Sequence, residues 1–402
     1  MEVWIFNRIE RKMTDYKNWL KDKEIVLINR EKHRKDYSDF DKQITFKDFT
    51  FPSFHFLQER IKEKQMCGED IYLVSTSERD LLPLSELRTE YNLYGQKFKE
   101  AELFRNKVEM KKKLKSIVKI PEFKEIESFL DIQKFIDKYD YPVVIKPISG
   151  AGSLNTHIID SKEKLYEVLG NGLDKDMMIE KFINGDMYHV DGIYQNGELL
   201  ISRPSVYING CLAYQENKFL GSVMLDYAHP LFDRLNDEAL KILDKLSSSE
   251  QAIVYHLELF HTNEDEIVFC EIASRVGGGR INDCFEKVTG VNLIGEWVKS
   301  QCNLPVRVKD ENNKLAGWIL IPPPKAGRIK KLEDIGYPEG MFFKDYYLHE
   351  GDYTNNPKIS IECVVAMAVE GNSTNEIVAK LDKCNELFLS SIVIEEEITN
   401  ED

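Results

Sequence analysis

The stretch from His256 to Asp283, HLELFHTNEDEIVFCEIASRVGGGRIND, restricts the fold more than any other part of the chain. Apolar alternation predicts two short strands, 256–260 and 267–273, on either side of the turn-rich Asn263-Glu264-Asp265-Glu266. With the turn centred between Glu264 and Asp265, antiparallel pairing sets Leu257 against Ile272, Leu259 against Cys270 and Glu258 against Glu271. One face of such a hairpin is greasy, and the other carries two carboxylates.

Carboxylates opposite each other on neighbouring strands have β-carbons roughly 5 Å apart and repel. A half-buried pair therefore needs a compensating cation or a raised pKa. Magnesium is commonly held by one or two carboxylates while substrate phosphates complete its shell, so the pair is a plausible seat for a nucleotide's metal. A lone glutamate pair is more often two solvated acids. Here Arg275 and Gly277-Gly278-Gly279 follow at once, and glycines let a ligand approach the backbone closely.

At 402 residues the chain is long enough for two or three domains, and 42% apolar with 31% charged residues is globular composition. A net charge of −15 argues against a general nucleic-acid or anionic-membrane surface, so any phosphate site is a local pocket. The seven cysteines form no CxxC pair, which points to reduced thiols in a cytoplasmic protein. No run approaches the ~20 apolar residues that span a bilayer.

The first part alternates strand-like runs (24–29, EIVLIN; 71–75, IYLVS) with helical patterns at 54–64 and 82–91. That order predicts a small βα domain with a parallel sheet. Asn29-Arg30-Glu31 stands where a dinucleotide-binding turn needs glycines. Residues 97–115 read as a helix or helix pair rich in lysine, most of it expected on a wet face. A helix follows at 131–137. The strand 141–146 (YPVVIK) ends in Lys146 and runs through Gly150, Ala151, Gly152 and Ser153 into another strand at 155–159. A loop between two strands is neither a P-loop nor a GxGxxG turn, since both open a helix, yet a flexible glycine flap can present backbone N–H groups to a polyphosphate. Further strands are predicted at 177–183, 189–194 and 198–202, the last two joined by an Asn-Gly turn, and onward through 205–214. Helices are predicted at 237–245 and 282–300. Beyond Pro305, strands at 315–321 and 359–369 precede a helix opened by Ser373-Thr374-Asn375-Glu376. The terminal EEEITNED is expected to fray.

Taken together, FRNKVEMKKKL, VVIKPISGAGS, MIEKFINGDMYHVDG, HLELF and EIASRVGGGR occur in an order and at a spacing that resemble the ATP-grasp superfamily, in particular its carboxylate–amine ligases typified by L-amino acid ligases. The resemblance is strong over residues 97–300 and looser at both flanks. It implies an α/β and α+β architecture: a preceding βα, Rossmann-like domain (1–96), an ATP-grasp domain (97–305, small lobe about 120–185, large lobe about 186–305) and a small C-terminal α+β lobe (306–402). It also implies roles. Lys107 and Lys146 match the two phosphate-binding lysines, and Gly150 to Ser153 match the flap over the β- and γ-phosphates. Glu180, Lys181, Phe182 and Ile183 match the hinge that receives adenine, where an edge strand could offer backbone groups. Asp186 stands near the ribose position, and His189 matches a nucleotide-contacting histidine of some carboxylases. Glu258 and Glu271 match the metal-bridging glutamates, and Arg275 matches the arginine that stabilises the acyl phosphate and its adduct. Ala273 departs from the asparagine that many members carry as a third ligand.

The resemblance further implies ATP and two Mg2+ ions, with Mn2+ able to substitute, small-molecule carboxylate and amine substrates, and a homodimer. Two other readings compete. A biotin-carboxylase-like enzyme would phosphorylate bicarbonate, and its ATP turnover would rise with bicarbonate alone. A non-catalytic module would bind ATP tightly without turnover.

Overall fold

The computed structural model describes residues 1–395 apart from 171, 173 and 309–313. Of the terminal EEEITNED only Glu395 lies within the described residues. Among the described residues the strands make sheets of four, eight, three and four strands.

The N-terminal sheet is parallel, in the order Gln43–Phe46, Glu24–Arg30, Glu2–Asn7, Ile71–Ser75. Glu2–Asn7 is one of its two inner strands, although sequence patterning alone did not single it out. Along it Trp4 and Phe6 enter one apolar cluster while Val3 and Ile5 enter another, so both faces are covered and the strand reads as a continuous apolar run. Helix Phe51–Met66 and helix Leu81–Glu90 follow the predicted pattern.

A four-stranded antiparallel sheet forms the small lobe, in the order Phe123–Glu125, Met177–Lys181, Val143–Pro147, His157–Ile159. The large antiparallel sheet has eight strands: Ile267–Ala273, Ile253–Thr262, Gly185–Gln195, Glu198–Ile208, Leu220–Met224, Leu315–Ile321, Val365–Gly371 and Met341–Tyr346. Three strands from beyond residue 305 thus continue the sheet begun by the acidic hairpin. Helix Phe232–Leu246 packs on one face through Leu235, Ile242 and Leu243, while Ile281–Thr289 and Thr374–Ser391 cover the other. Burying each such Leu, Ile or Phe contributes about 1.5–3 kcal/mol, which fixes the sheet as the platform of the molecule.

Three predicted elements change. The strand expected through 205–214 stops at Ile208, because Asn209 and Gly210 both take positive φ (62° and 74°) and reverse the chain. The helix expected over 282–300 breaks at Gly290, φ 72°, and a second helix, Leu293–Ser300, starts under the Asn292 cap. The strand expected at 359–369 begins only at Val365. Ser373 does cap its helix by accepting from the Glu376 N–H, but the Glu376 carboxylate accepts from the Asn372 N–H, one residue before the cap.

Candidate active site

The acidic hairpin pairs Leu257 with Ile272 and Glu258 with Glu271, as its sequence predicts. Past Glu258 the register shifts, so Leu259 faces Phe269 and not Cys270. Cys270 is the extra residue of a β-bulge, a device that re-aims side chains next to functional sites. As a result Cys270 and Glu271, though consecutive, both border one cavity.

That cavity, about 470 Å³, lies between the small-lobe sheet and the large sheet. It collects Lys107, Lys146, Gly150, Ala151, Ser153, Glu180, Lys181, Phe182, Ile183, Asp186, Glu258 and Glu271 from the predicted set. Val144, Leu154, Ile158, Met187 and Phe260 join Phe182 and Ile183 to make part of its wall apolar.

Lys107 is the first residue of helix Lys107–Leu114, whose N-cap Asn106 accepts from the N–H groups of Val108 and Glu109. Its ammonium lies 3.0 Å from Glu271 Oε2 and donates to the Gly150 carbonyl at 3.1 Å. Lys146, expected to end its strand, is the residue before the last of strand Val143–Pro147 and lies 2.6 Å from Glu180 Oε1 and 4.0 Å from Cys270 Sγ. Burial alone would push Glu271 up; Lys107 and then Lys146 outweigh it and hold the carboxyl down at about 2. The compensating charge expected for the glutamate pair is therefore present in the protein's own lysines. Burial also opposes the charge on Lys146, yet its pKa is raised by Cys270, Glu180 and Glu271. Because burial holds the Cys270 thiol up at about 12, it is neutral at pH 7, and we attribute the charged state of Lys146 to the two carboxylates.

Lys111 was missed by sequence reading, which expected this lysine run to be solvated. It is fully buried, donates to the Cys270 carbonyl at 2.7 Å and stands 3.3 Å from Glu180 Oε2. A spacing signal existed: Lys111 sits one helical turn after Lys107, on the same face. Burial lowers its pKa against the pull of Glu180. Glu180 in turn is held low by Lys111 and Lys146, although burial opposes this. Its carboxylate is thus committed to two lysines.

The strand carrying Glu180 is not an edge. It is flanked by Phe123–Glu125 and Val143–Pro147, the Lys181 N–H reaches the Glu122 carbonyl at 2.9 Å, and the Phe182 N–H reaches the Pro142 carbonyl at 3.3 Å. The N–H groups of Lys181 and Phe182 are thus taken within the lobe.

Three residues from the predicted set do not border the cavity: Gly152, His189 and Arg275. Gly152, φ 65°, turns its carbonyl to Ser360. His189 is 1% exposed and lies between Asp191, at 2.5 Å, and the Ser222 hydroxyl, at 2.5 Å. It belongs to a buried network on the same sheet face: Asp191 also reaches His256 Nδ1 at 2.9 Å, and His256 Nε2 lies 3.4 Å from Glu258 Oε1. Burial opposes protonation of His256, but Asp191 and Glu258 raise its pKa to about 9. Tyr207 donates to Glu258 Oε1 at 3.0 Å. Neither Asp191, His256 nor Tyr207 was singled out in the sequence, since only the sheet register brings them behind Glu258. Arg275 ion-pairs with Glu78 of the N-terminal domain at 2.6 Å, and Arg105 binds the other oxygen of the same carboxylate. Burial raises the Glu78 pKa, but Arg275 and Arg105 together bring it below the usual value.

Donor atoms of Glu258, Cys270 and Glu271 lie within 4.8 Å of one another. Two carboxylates suit a hard cation such as Mg2+, which takes oxygen ligands; a neutral thiol does not. His189, Asp191 and His256 form a second such group, but their atoms are already spent on one another and on Ser222.

Residues 104–279 match the ATP-grasp domain family. Over 311 residues, 72% of this chain and 72% of the relative, the sequence is 30% identical to an L-arginine-specific L-amino acid ligase of Bacillus subtilis. The chain belongs to the ATP-grasp superfamily, among its carboxylate–amine ligases. ATP-grasp ligases form C–N bonds at the expense of ATP, and the chain is an enzyme of this class. The fold matches an L-amino acid ligase from Bacillus licheniformis with TM-score 0.76 at 16% identity, covering 98% of both chains. It also matches a carboxyaminoimidazole ribonucleotide synthase from Aspergillus clavatus, solved with ATP, with TM-score 0.71 at 14% identity over 97% of this chain and 98% of that one. Among the described residues no helix is long and apolar enough to cross a membrane.

Proposed function

We propose that the protein joins the carboxylate of an amino acid to an amine through an acyl phosphate, releasing ADP and phosphate. The observation that carries this reading is the facing pair Glu258 and Glu271 at the floor of a cleft that Lys107 and Lys146 enter from the other side. Phosphoryl transfer asks for positioning and charge neutralisation more than for a protein nucleophile, and Lys107 and Lys146 against Glu258 and Glu271 provide groups of both signs at the cavity.

Adenine fits the apolar wall around Phe182, Ile183 and Phe260. Lys107 and Lys146 would turn from their carboxylates to the β- and γ-phosphates, with the flap from Gly150 to Ser153 laid over them. Glu258 and Glu271 would hold Mg2+, which neutralises charge on the phosphates when bound. A substrate carboxylate oxygen attacks the γ-phosphorus and ADP leaves; the amine then attacks the acyl carbon, and the C–O bond to phosphate breaks. Arg275, held by Glu78 outside the cavity lining, would have to turn from that carboxylate to supply positive charge toward the adduct. The name of the Bacillus subtilis relative makes arginine the first amino acid to try.

The test is phosphate release from ATP across pairwise amino acid mixtures that include arginine, with product masses read afterwards. A mass equal to the pair minus water is expected, and Glu271→Gln should abolish ADP formation while leaving the fold intact. Full activity of that variant, or no amino-acid-dependent turnover in any mixture, would contradict the reading.

A further inference from the structure

The flap from Gly150 to Ser153 is held from outside its own lobe. Gly152 carbonyl accepts from both the N–H and the hydroxyl of Ser360, each at 3.3 Å. The next carbonyl, Ser153, accepts from the Tyr214 hydroxyl at 3.2 Å, and the Thr156 carbonyl accepts from Gln215 Nε2 at 3.3 Å. These donors come from two separate places: Tyr214 and Gln215 from the turn Ala213–Glu216 of the large lobe, and Ser360 from the segment before strand Val365–Gly371.

The Ser360 segment is itself pinned. The Glu362 carboxylate accepts from the Lys358 N–H at 2.6 Å, the Glu362 N–H reaches the Ile359 carbonyl at 3.2 Å, and the Val364 N–H bonds the Ile321 carbonyl at 2.8 Å. Neither Ser360 nor Tyr214 borders the cavity. A trans peptide carries its oxygen and its N–H on opposite sides, so fixing the Gly152 oxygen on Ser360 turns the N–H of Ser153 the other way, while the Leu154 N–H meets the Ala151 carbonyl within the flap at 3.5 Å.

We propose that Ser360 and Tyr214 are positioning residues that latch the flap across the cleft, orienting its N–H groups and keeping water from the acyl phosphate. The inference rests on the ligase reading above. Without the latch, water attacks the acyl carbon, the C–O bond to phosphate breaks, and the free acid and phosphate leave with no amide made.

The test uses the full chain with Ser360→Ala, Ser360→Asp and the double variant Tyr214→Phe/Ser360→Asp, with Ser360→Thr as the conservative control. Two quantities are read: phosphate released per amide formed, and the dissociation rate of a fluorescent ATP analogue with Mg2+. The parent and Ser360→Thr should release close to one phosphate per amide. The double variant should release several-fold more and lose the analogue at least several-fold faster, with thermal melting close to the parent. Ser360→Ala, which keeps the backbone donor, should fall between. Parent-like dissociation in the double variant overturns the latch whatever the chemistry. Faster dissociation with an unchanged phosphate-to-amide ratio overturns the water-exclusion role. Failure of the ligase reading itself would show separately, as a parent enzyme that makes no amide.

Discussion

Lys107 and Glu271 meet at 3.0 Å across the cleft, one from the first turn of a helix and the other from the bulged strand of the hairpin. The lysine also holds the Gly150 carbonyl, so a single ammonium touches both the flap and the acidic floor. The resting pair is an internal substitute for the charges that a nucleotide and its metal would bring.

Replacing Lys107 with Met should therefore do two things. Turnover should fall by about 10²–10³-fold, the loss typical of one charge-stabilising donor, and Glu271 should lose its largest source of compensation. Lys107→Arg, which keeps charge but not the compact ammonium, should recover part of the rate. ADP formation at saturating amino acids measures both; parent-like rates in Lys107→Met would remove the lysine from the chemistry.

Lys111 is a structural ammonium. Its neighbours, the Cys270 carbonyl and Glu180, are buried, so Lys111→Met leaves an acceptor and a charge unmatched. Breaking a buried pair from one side costs about 3–5 kcal/mol, and urea unfolding should show a loss of that order. A loss below about 1 kcal/mol would mean that water or Lys146 takes over.

Glu78 ties the N-terminal domain to Arg275 and Arg105, and its folded pKa lies below the ordinary value of 4.5. A depressed carboxylate contributes stability above the unfolded pKa and loses it as pH falls through the folded one. Melting temperature should accordingly decline below about pH 4.5, and Glu78→Gln should flatten that decline while lowering stability at pH 7. An acid limb with the same slope in both proteins would assign the pH dependence to other carboxylates.

The hairpin, the glutamate pair and the flap were legible because each rests on local rules: period-two alternation, a turn centre, and glycines between two strands; Lys107 and Lys146 stood out only through the resemblance to the ATP-grasp superfamily. What escaped depended on long-range register. His189 reads equally as a nucleotide contact by resemblance and as a satisfied sheet histidine, until strand Gly185–Gln195 sets it beside Asp191 and Ser222. Lys111 looks like one more solvated lysine until its helix packs behind Cys270. Glu180 belongs to a strand that seemed free to pair with a base, but the sheet flanks it on both sides. The bulge at Cys270 had no turn residue to announce it. Leu220–Met224 was overlooked because Gly221 and Ser222 interrupt its apolar run; Glu2–Asn7 was overlooked although it carries the same kind of short apolar run, Val3 to Phe6, as the buried strands that were found.

The most direct measurement follows oxygen. With an amino acid whose carboxylate carries ¹⁸O at both positions, the released phosphate should contain one ¹⁸O atom and the amide should keep the other, read by mass spectrometry of the products. Unlabelled phosphate, or label carried into AMP, would contradict an acyl phosphate formed between Glu258, Glu271 and the two lysines.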